Sequence, residues 1–218
     1  MPRPLSHLKA RPRQERSQET LARVLRATEH LLGRMHFEDI TISQILELAG
    51  VSVGSFYARF HSKEDLLPHL YTAYSENLKL RTAAAANPEH WAGKKLAERI
   101  RTLLALAVAT YREQRGLLRA VALLARSRPK QVAKSALRER DDQYRVMAAL
   151  LLACRDEIRH PAPDRAVQTG LLFALAACRD KILFAEAPHP ASVPLTDAQL
   201  ADELARALHA YLTTLPPF

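Results

Sequence analysis

Apolar residues recur at every third or fourth position along most of this chain, which is the spacing of one face of an α-helix. Alternating runs of β-branched residues are absent, and only six glycines and thirteen prolines interrupt long stretches of leucine, alanine and arginine. The pattern therefore predicts an all-α fold. It divides into an N-terminal three-helix head, residues 15–62, and a larger C-terminal helical bundle domain, residues 63–218.

The first predicted helix runs from about Glu15 to Arg34. Its apolar stripe consists of Leu21, Val24, Leu25, Thr28, Leu31 and Leu32. The small core of the head is then closed by Met35, Phe37 and Ile40. We expect this helix to support, through one face, the two short helices that follow it.

Two short helices joined by a sharp turn are predicted between residues 41 and 60. Thr41 is suited to cap the first of them, and Gln44 three residues later completes a capping box. Gly50 can take the left-handed conformation that ends a helix, and Ser52 is a second N-cap. Capped helix, glycine turn and capped helix together indicate a helix-turn-helix, although this pattern alone also occurs in other helical domains.

The second short helix has one large apolar face and one small, weakly polar face. Phe56 and Phe60 lie four residues apart and must point inward together. The opposite face is left with Val53, Gly54, Ser55, Tyr57 and Ala58. Small residues let a helix backbone approach base edges, and Val53 can pack on a thymine methyl. The hydroxyl of Tyr57, and the ammonium of Lys63 beyond the helix, suit phosphate oxygens.

Residues 49–67 read AGVSVGSFYARFHSKEDLL, and this string closely resembles the DNA-binding signature of TetR-family transcriptional regulators. The resemblance covers about residues 15–75. It implies that Val53 and Gly54 face base edges. It also implies that the residues near the DNA backbone are Thr41, Ser55, Tyr57, His61 and Lys63. The family often has lysine, arginine or proline at the position of Val53, so a basic base-reading residue is missing here. Arg59 is a candidate substitute, although its place on the rim favours a contact with a flanking phosphate or with solvent.

The C-terminal domain begins with a fourth helix that runs from Ser62 toward Ala86. Pro68 lies within it, either as a kink that makes the helix a lever or as a tolerated distortion near its start. Asn87-Pro88 ends this helix. Five further helices are predicted. The first begins near Lys94, the second covers LLRAVALLA and ends before residue 128, and the third runs from about Pro129 to Ile158. The fourth follows residue 163, and the fifth begins at a cap formed by Thr196 or Asp197.

The resemblance implies a small-molecule effector inside this C-terminal domain. The candidates for an effector pocket are Tyr111, Tyr144, Met147, Cys154 and Phe173. The alternative for each of them is an ordinary core residue.

The last two predicted helices are unusually apolar. Small residues in the first of the two, which allow close helix approach, are Gly170, Ala174, Ala176, Ala177 and Cys178, and the second carries Leu200, Leu204, Leu208 and Tyr211. They form either an intramolecular core or, as the resemblance implies, a two-fold four-helix interface of a homodimer. A dimer would place two heads on a near-palindromic site in double-stranded DNA.

The chain has a net charge of +9, which suits an acidic partner such as DNA. The excess is spread over both domains, with ten basic and six acidic residues in residues 1–63, so charge alone supports nucleic-acid binding weakly. Residues 1–14 form a predicted flexible basic arm, with Arg3, Lys9, Arg11 and Arg13. Such an arm either inserts into a minor groove or is a solvated tail.

Signals for other chemistry are weak. The sequence has no phosphate-binding loop, no zinc-protease motif and no serine elbow, and the single Glu157–His160 pair abuts a proline at a helix end. Cys154 and Cys178 fit no metal or redox spacing. We therefore expect no enzyme activity, no cofactor and no metal. The sequence also shows no membrane-spanning run and no signal peptide, which favours a cytoplasmic location.

The helix-turn-helix predicts a sequence-specific DNA-binding transcriptional regulator. The resemblance implies that it is a homodimer and a repressor that a small-molecule effector releases from DNA. One alternative is a DNA-bound adaptor whose helical domain binds a protein partner. Another is a helical enzyme that has acquired a helix-turn-helix.

Overall fold

The computed structural model describes residues 13–85, 87–128, 134–186 and 193–215, and within them every regular element is helical. The prediction of an all-α fold is confirmed. The α-helices are α1 (Arg13–Leu32), α2 (Ile42–Ala49), α3 (Val53–Tyr57), α4 (Leu66–Ala85), α5 (Pro88–Trp91), α6 (Leu96–Glu113), α7 (Arg115–Ser127), α8 (Lys134–Leu152), α9 (Pro163–Leu183) and α10 (Asp197–Thr213). The chain divides into two compact units between Leu66 and Leu67.

The first unit is a three-helix head built around α1, α2 and α3. Its buried apolar side chains are Val24, Ala27, Leu32, Phe37, Ile40, Ile45, Leu46, Ala49, Phe56, Phe60 and Leu66. Thr28 is also buried, and its hydroxyl donates to the carbonyl oxygen of Val24 at 2.8 Å, so no hydroxyl is left unpaired there. The α1 stripe predicted from the sequence therefore supports the two short helices.

Pro68 is the third residue of α4, which follows a 3-10 turn over Lys63–Asp65. First-turn amides of a helix lack an intrahelical partner, so proline is tolerated there. The prediction that Pro68 interrupts the interior of this helix is wrong, and the alternative of a tolerated position near the helix start is correct.

The second unit is a helical bundle in which α6, α9 and α10 pack against one another and α8 packs on α9. Its main core contains Leu96, Ile100, Leu104, Leu151, Val167, Leu171, Leu208 and Leu212. Arg99 joins three segments of this bundle, since its guanidinium donates to the carbonyl oxygens of Trp91, Lys94 and Leu150 at 2.8–3.0 Å. These bonds hold the turn before α6 against α8.

The end of α8 differs from the prediction. The helix stops at Leu152 rather than Ile158, and a 3-10 turn over Arg155–Glu157 follows. In this turn the Glu157 carboxylate accepts a hydrogen bond from the amide of Leu96 at 3.0 Å. A tertiary contact with the first turn of α6 therefore accompanies the early end of α8. The predicted start near Pro129 lies outside the described residues.

Helices α9 and α10 approach closely at Gly170. A Cβ atom placed there would lie 2.4 Å from Cδ1 of Leu208 and 3.2 Å from Cδ1 of Tyr211. Gly170, Ala174, Cys178, Leu200 and Leu208 are all buried within one chain. The alternative of an intramolecular core is thus correct for these five residues, whereas Ala177 and Tyr211 remain exposed.

Candidate nucleic-acid interface

The turn between α2 and α3 is shaped by side chains close to it in the sequence. Thr41 caps α2: its Oγ1 accepts from the amide of Gln44 at 3.2 Å, and the Gln44 Oε1 accepts from the amide of Thr41 at 2.8 Å. Gly50 ends α2 with φ 61° and ψ 43°, a left-handed conformation that glycine adopts without steric cost. Ser52 then caps α3 by accepting from the amide of Ser55 at 3.3 Å. The predicted helix-turn-helix is confirmed.

Phe56 and Phe60 anchor α3 in the head. Both rings are buried, and their centroids lie 5.3 Å apart. Because these two residues fix the inner face, the opposite face is presented to solvent, and Val53 and Tyr57 are 60% and 53% exposed. A Cβ atom added to Gly54 would have no heavy atom of the described residues within 4 Å. This outer surface of α3, formed by Val53, Gly54, Ser55, Tyr57 and Ala58, is called the reading face below.

Lys63 has a different environment from the one predicted. Its Nζ donates to the carbonyl oxygens of Phe37, Glu38 and Ile40 at 2.7–2.8 Å and lies 5.0 Å from the centroid of the Phe37 ring. An ammonium has three donors, so all of them are used within the head. In the head, this side chain therefore closes the turn before α2, and the phosphate contact predicted for Lys63 stays a prediction.

Two further polar residues lie just beyond α3. The guanidinium of Arg59 donates to the hydroxyl of Ser17 on α1, which ties it to the head rather than to the reading face. The His61 side chain is fully exposed. The Asp65 carboxylate accepts from the amides of His61 and Ser62 at 2.8 and 3.1 Å, so it holds the backbone that carries His61.

The sequence from Thr41 to Tyr57 contains one acidic residue, Glu47, and no basic residue. Long-range attraction to phosphates must therefore come from basic residues elsewhere in the chain. The basic residues predicted for the arm, Arg3, Lys9 and Arg11, lie outside the described residues.

Residues 24–70 match the family model of "Bacterial regulatory proteins, tetR family". The head is a TetR-family domain. The whole chain also has the fold of solved TetR-family structures. One neighbour is a TetR-family regulator from Mesorhizobium loti, with 16% identity and a TM-score of 0.61, covering 90% of this chain and 96% of the other.

A second neighbour is the repressor FadR from Thermus thermophilus, whose structure is a complex with lauroyl-CoA. It has 20% identity and a TM-score of 0.58, and the alignment covers 88% of this chain and 93% of FadR. At these identities the likeness concerns the fold. A search of curated protein sequences finds no significant match.

The residues predicted for an effector pocket do not form one group in this TetR-family fold. Tyr111, Tyr144, Met147 and Cys154 are half-buried and pack against the main core of the second unit. Phe173 is 64% exposed, because α9 turns its opposite face inward. Its assignment to an internal pocket is therefore wrong.

An open groove lies between α6 and α10 and encloses about 450 Å³. It is lined by Ala105, Val108, Ala109, Arg112, Glu113, Asp197, Ala198 and Ala201. Arg112 donates twice to Asp197 at its edge, at 2.6 and 3.1 Å, and this bonding raises the pKa of Arg112. None of the five predicted pocket residues lines the groove. Burial raises the pKa of the nearby Cys178 thiol to about 12, so this thiol stays protonated at neutral pH.

The Glu157–His160 pair has structural contacts rather than a shared site. Glu157 accepts from the amide of Leu96, and Nδ1 of His160 accepts from the amide of Ala162 at 3.1 Å. Across the described ranges, no group of three histidine, cysteine, aspartate or glutamate residues is placed to hold a metal ion. In those same ranges, each helix is too short or too polar to cross a membrane.

Proposed function

We propose that this chain is a sequence-specific DNA-binding transcriptional regulator that acts as a homodimer. The observation that carries the proposal is the reading face: α3 is anchored by Phe56 and Phe60, and its small outer surface is exposed in a TetR-family head. An α-helix of this kind fits the major groove of B-DNA, and the absence of large side chains permits a close approach to base edges.

The proposed contacts with DNA follow from the order of residues around the turn between α2 and α3. Val53 and Gly54 lie at the start of α3 and are proposed to face base edges. The hydroxyls of Thr41, Ser55 and Tyr57 and the exposed imidazole of His61 are proposed to contact the DNA backbone. Lys63 is left out of this set because its three donors bind carbonyl oxygens within the head.

The proposed dimer uses the outer face of α9. Leu172 and Phe173 are 53% and 64% exposed and lie side by side there. Burying such a pair against its two-fold copy would remove apolar surface from water. Two heads are needed because one α3 of five residues spans only a few base pairs.

We further propose that a small molecule bound in the second unit releases the regulator from DNA, so that it acts as a repressor. Oγ of Ser75 and Nε2 of Gln143 are among the buried polar atoms that have no hydrogen-bond partner in the part of the chain the structure describes. Buried polar groups ordinarily have one, so each supports the presence of a polar guest in the interior. FadR, whose structure is a complex with lauroyl-CoA, shares this fold.

Selection of bound sequences from random duplex DNA tests the proposal. The full-length protein should enrich a near-palindrome, and its affinity for that duplex should fall steeply with salt, with a logarithmic slope of about −0.9 per phosphate contacted. A protein that enriches no sequence at low ionic strength is not a sequence-specific regulator. The proposed release by a small molecule is tested separately, with compounds that raise the melting temperature of the protein. Each compound is added at saturating concentration to the protein–DNA complex. Unchanged affinity for DNA would contradict the release and leave the proposed DNA binding intact.

A further inference from the structure

The reading face lacks the side chains that usually distinguish bases by hydrogen bonding. Residues 52–58 read SVGSFYA, which includes none of the arginine, lysine, asparagine, glutamine or acidic side chains that pair with base edges in the major groove. A hydroxyl can bond to several bases and therefore discriminates poorly among them. On this face, discrimination has to come from another kind of contact.

Of the two polar side chains on the reading face, Ser55 and Tyr57, that of Ser55 already has a partner within the head. Oγ of Ser55 lies 2.8 Å from Oγ of Ser52 and shares a hydrogen bond with it. The next two cations along the chain, Arg59 and Lys63, donate to Ser17 and to three carbonyl oxygens. The hydroxyl of Tyr57 remains as a single polar group on an exposed side chain.

Val53 is the exposed apolar side chain at the start of this face. It is 60% exposed and is followed by Gly54, which has no side chain to shield it. A β-branched side chain on a helix has one strongly preferred rotamer, so its methyl groups are held in one direction. The apolar group that the major groove offers to such a surface is the C5-methyl of thymine.

We infer that Val53 is a specificity-determining residue that reads a C5-methyl group in the major groove. The inference rests on the proposed function, because it requires the reading face to enter that groove. The group recognised is the methyl rather than the base that carries it. 5-Methylcytosine, which presents the same methyl, should therefore be accepted at the thymine position.

The test uses the consensus duplex obtained from the selection described above. Each thymine of one half-site is replaced in turn by deoxyuridine, which removes the methyl and leaves the Watson–Crick pairing unchanged. At one or two positions, the wild-type protein should bind about fourfold more weakly, because the substitution removes one methyl group that would be buried in the complex. In Val53→Ser this loss should disappear, whereas Val53→Thr, which keeps one methyl, should retain part of it.

A second arm replaces the same thymine by cytosine and then by 5-methylcytosine, each paired with guanine. The 5-methylcytosine duplex should bind the wild-type protein several-fold more tightly than the cytosine duplex. Leu48→Ala is the matched control, since Leu48 is an apolar side chain of the same head that is 51% exposed outside the reading face. This variant should keep the full thymine preference.

The outcomes separate the inference from the proposed function. If the protein binds its consensus but tolerates deoxyuridine at every position, sequence-specific binding stands and methyl reading is wrong. If deoxyuridine weakens DNA binding by Val53→Ser as much as it weakens binding by the wild-type protein, another residue reads the methyl and the assignment to Val53 is overturned. If no consensus emerges from the selection, the proposed function itself fails.

Discussion

Single residues determine both the stability of the head and the surface that it offers to DNA. Lys63 illustrates the first role, because one ammonium binds the carbonyl oxygens of Phe37, Glu38 and Ile40 and thereby closes the turn that leads into α2. Gly54 illustrates the second, since its missing side chain leaves the middle of the reading face open. Substitutions at these two positions should therefore have opposite effects on folding and binding.

Lys63→Met should destabilise the head by about 2 kcal/mol, because hydrogen bonds to a charged group are lost and carbonyl oxygens are left without a donor. Hydrogen exchange of α1 and α2 amides in the full-length protein measures this change locally. Arg34→Met removes the same charge from an exposed position of the head and should change stability by less than about 0.5 kcal/mol. A shallower salt dependence of DNA binding in Lys63→Met, with unchanged stability, would instead identify Lys63 as a phosphate ligand.

Gly54→Ala should leave the head as stable as wild type or up to about 1 kcal/mol more stable, because alanine favours the helix and meets no neighbour. The added methyl would stand where the helix backbone approaches base edges. Affinity for the selected duplex should therefore fall by about tenfold or more. Melting curves and DNA titrations of the same preparation give both quantities, and unchanged affinity would place Gly54 away from the DNA.

At the scale of helices, caps and close contacts decide where each helix begins and how near its neighbour lies. α2 and α10 begin with the same device: Thr41 with Gln44, and Thr196 with Gln199, form capping boxes of nearly equal geometry. Only the cap at Thr41 lies close to the reading face in the sequence. The two caps therefore form a matched pair, in which loss of either cap should affect helix stability but only one should affect DNA binding.

Thr41→Ala and Thr196→Ala should each destabilise the helix that follows by about 1 kcal/mol, since each removes an N-cap. Only Thr41→Ala should also weaken binding to the selected duplex. Thr41→Ser keeps the hydroxyl and should behave as wild type in both respects. An equal loss of affinity from the two alanine variants would show that stability, rather than a contact with DNA, explains the effect.

Gly170→Ala should destabilise the second unit by about 1 kcal/mol. Overpacking against Leu208 costs roughly 1–3 kcal/mol, and the helix preference of alanine offsets up to about 1 kcal/mol of it. A double-mutant cycle with Leu208→Ala measures the coupling by urea denaturation. Because Leu208→Ala removes the clashing atom, Gly170→Ala should be neutral or stabilising in that background, and strictly additive effects would contradict the close contact.

At the scale of the whole molecule, the proposed function depends on two copies. The buried part of α9 and α10 is used within one chain, whereas Leu172 and Phe173 on α9 are exposed and can meet a two-fold partner. Dimer formation would bring together two reading faces, each of which contacts few bases. Loss of the dimer should therefore weaken binding to the full site far more than binding to a half-site.

Phe173→Glu should raise the dimer dissociation constant by roughly a hundredfold or more, because it buries an unpaired charge in the interface. Val193→Glu is the control, since Val193 is equally exposed, at 64%, outside α9 and α10. Sedimentation velocity measures the association, and titrations with full-site and half-site duplexes measure the consequence. A Phe173→Glu protein that remains dimeric would show that this face has another role, such as binding a different protein.

The sequence by itself determined the features that depend on residues close together in the chain. The caps at Thr41 and Ser52, the left-handed Gly50 and the inward Phe56 and Phe60 follow from local hydrogen bonding and helical periodicity, and the structure confirms each of them. The all-helical fold follows for the same reason. The reading face is what remains once these positions are assigned.

Only the tertiary structure decided which partner a side chain takes when several are available. Lys63 bonds to carbonyl oxygens 23 to 26 residues earlier, α8 ends at Leu152 before the turn in which Glu157 bonds to α6, and Phe173 lies on the outside of α9. Each outcome depends on how segments that are far apart in the sequence pack together, and helical periodicity carries no information about that packing. The physical reason is that a local pattern fixes the direction of a side chain relative to its own helix, whereas its contacts depend on the position of every neighbouring helix.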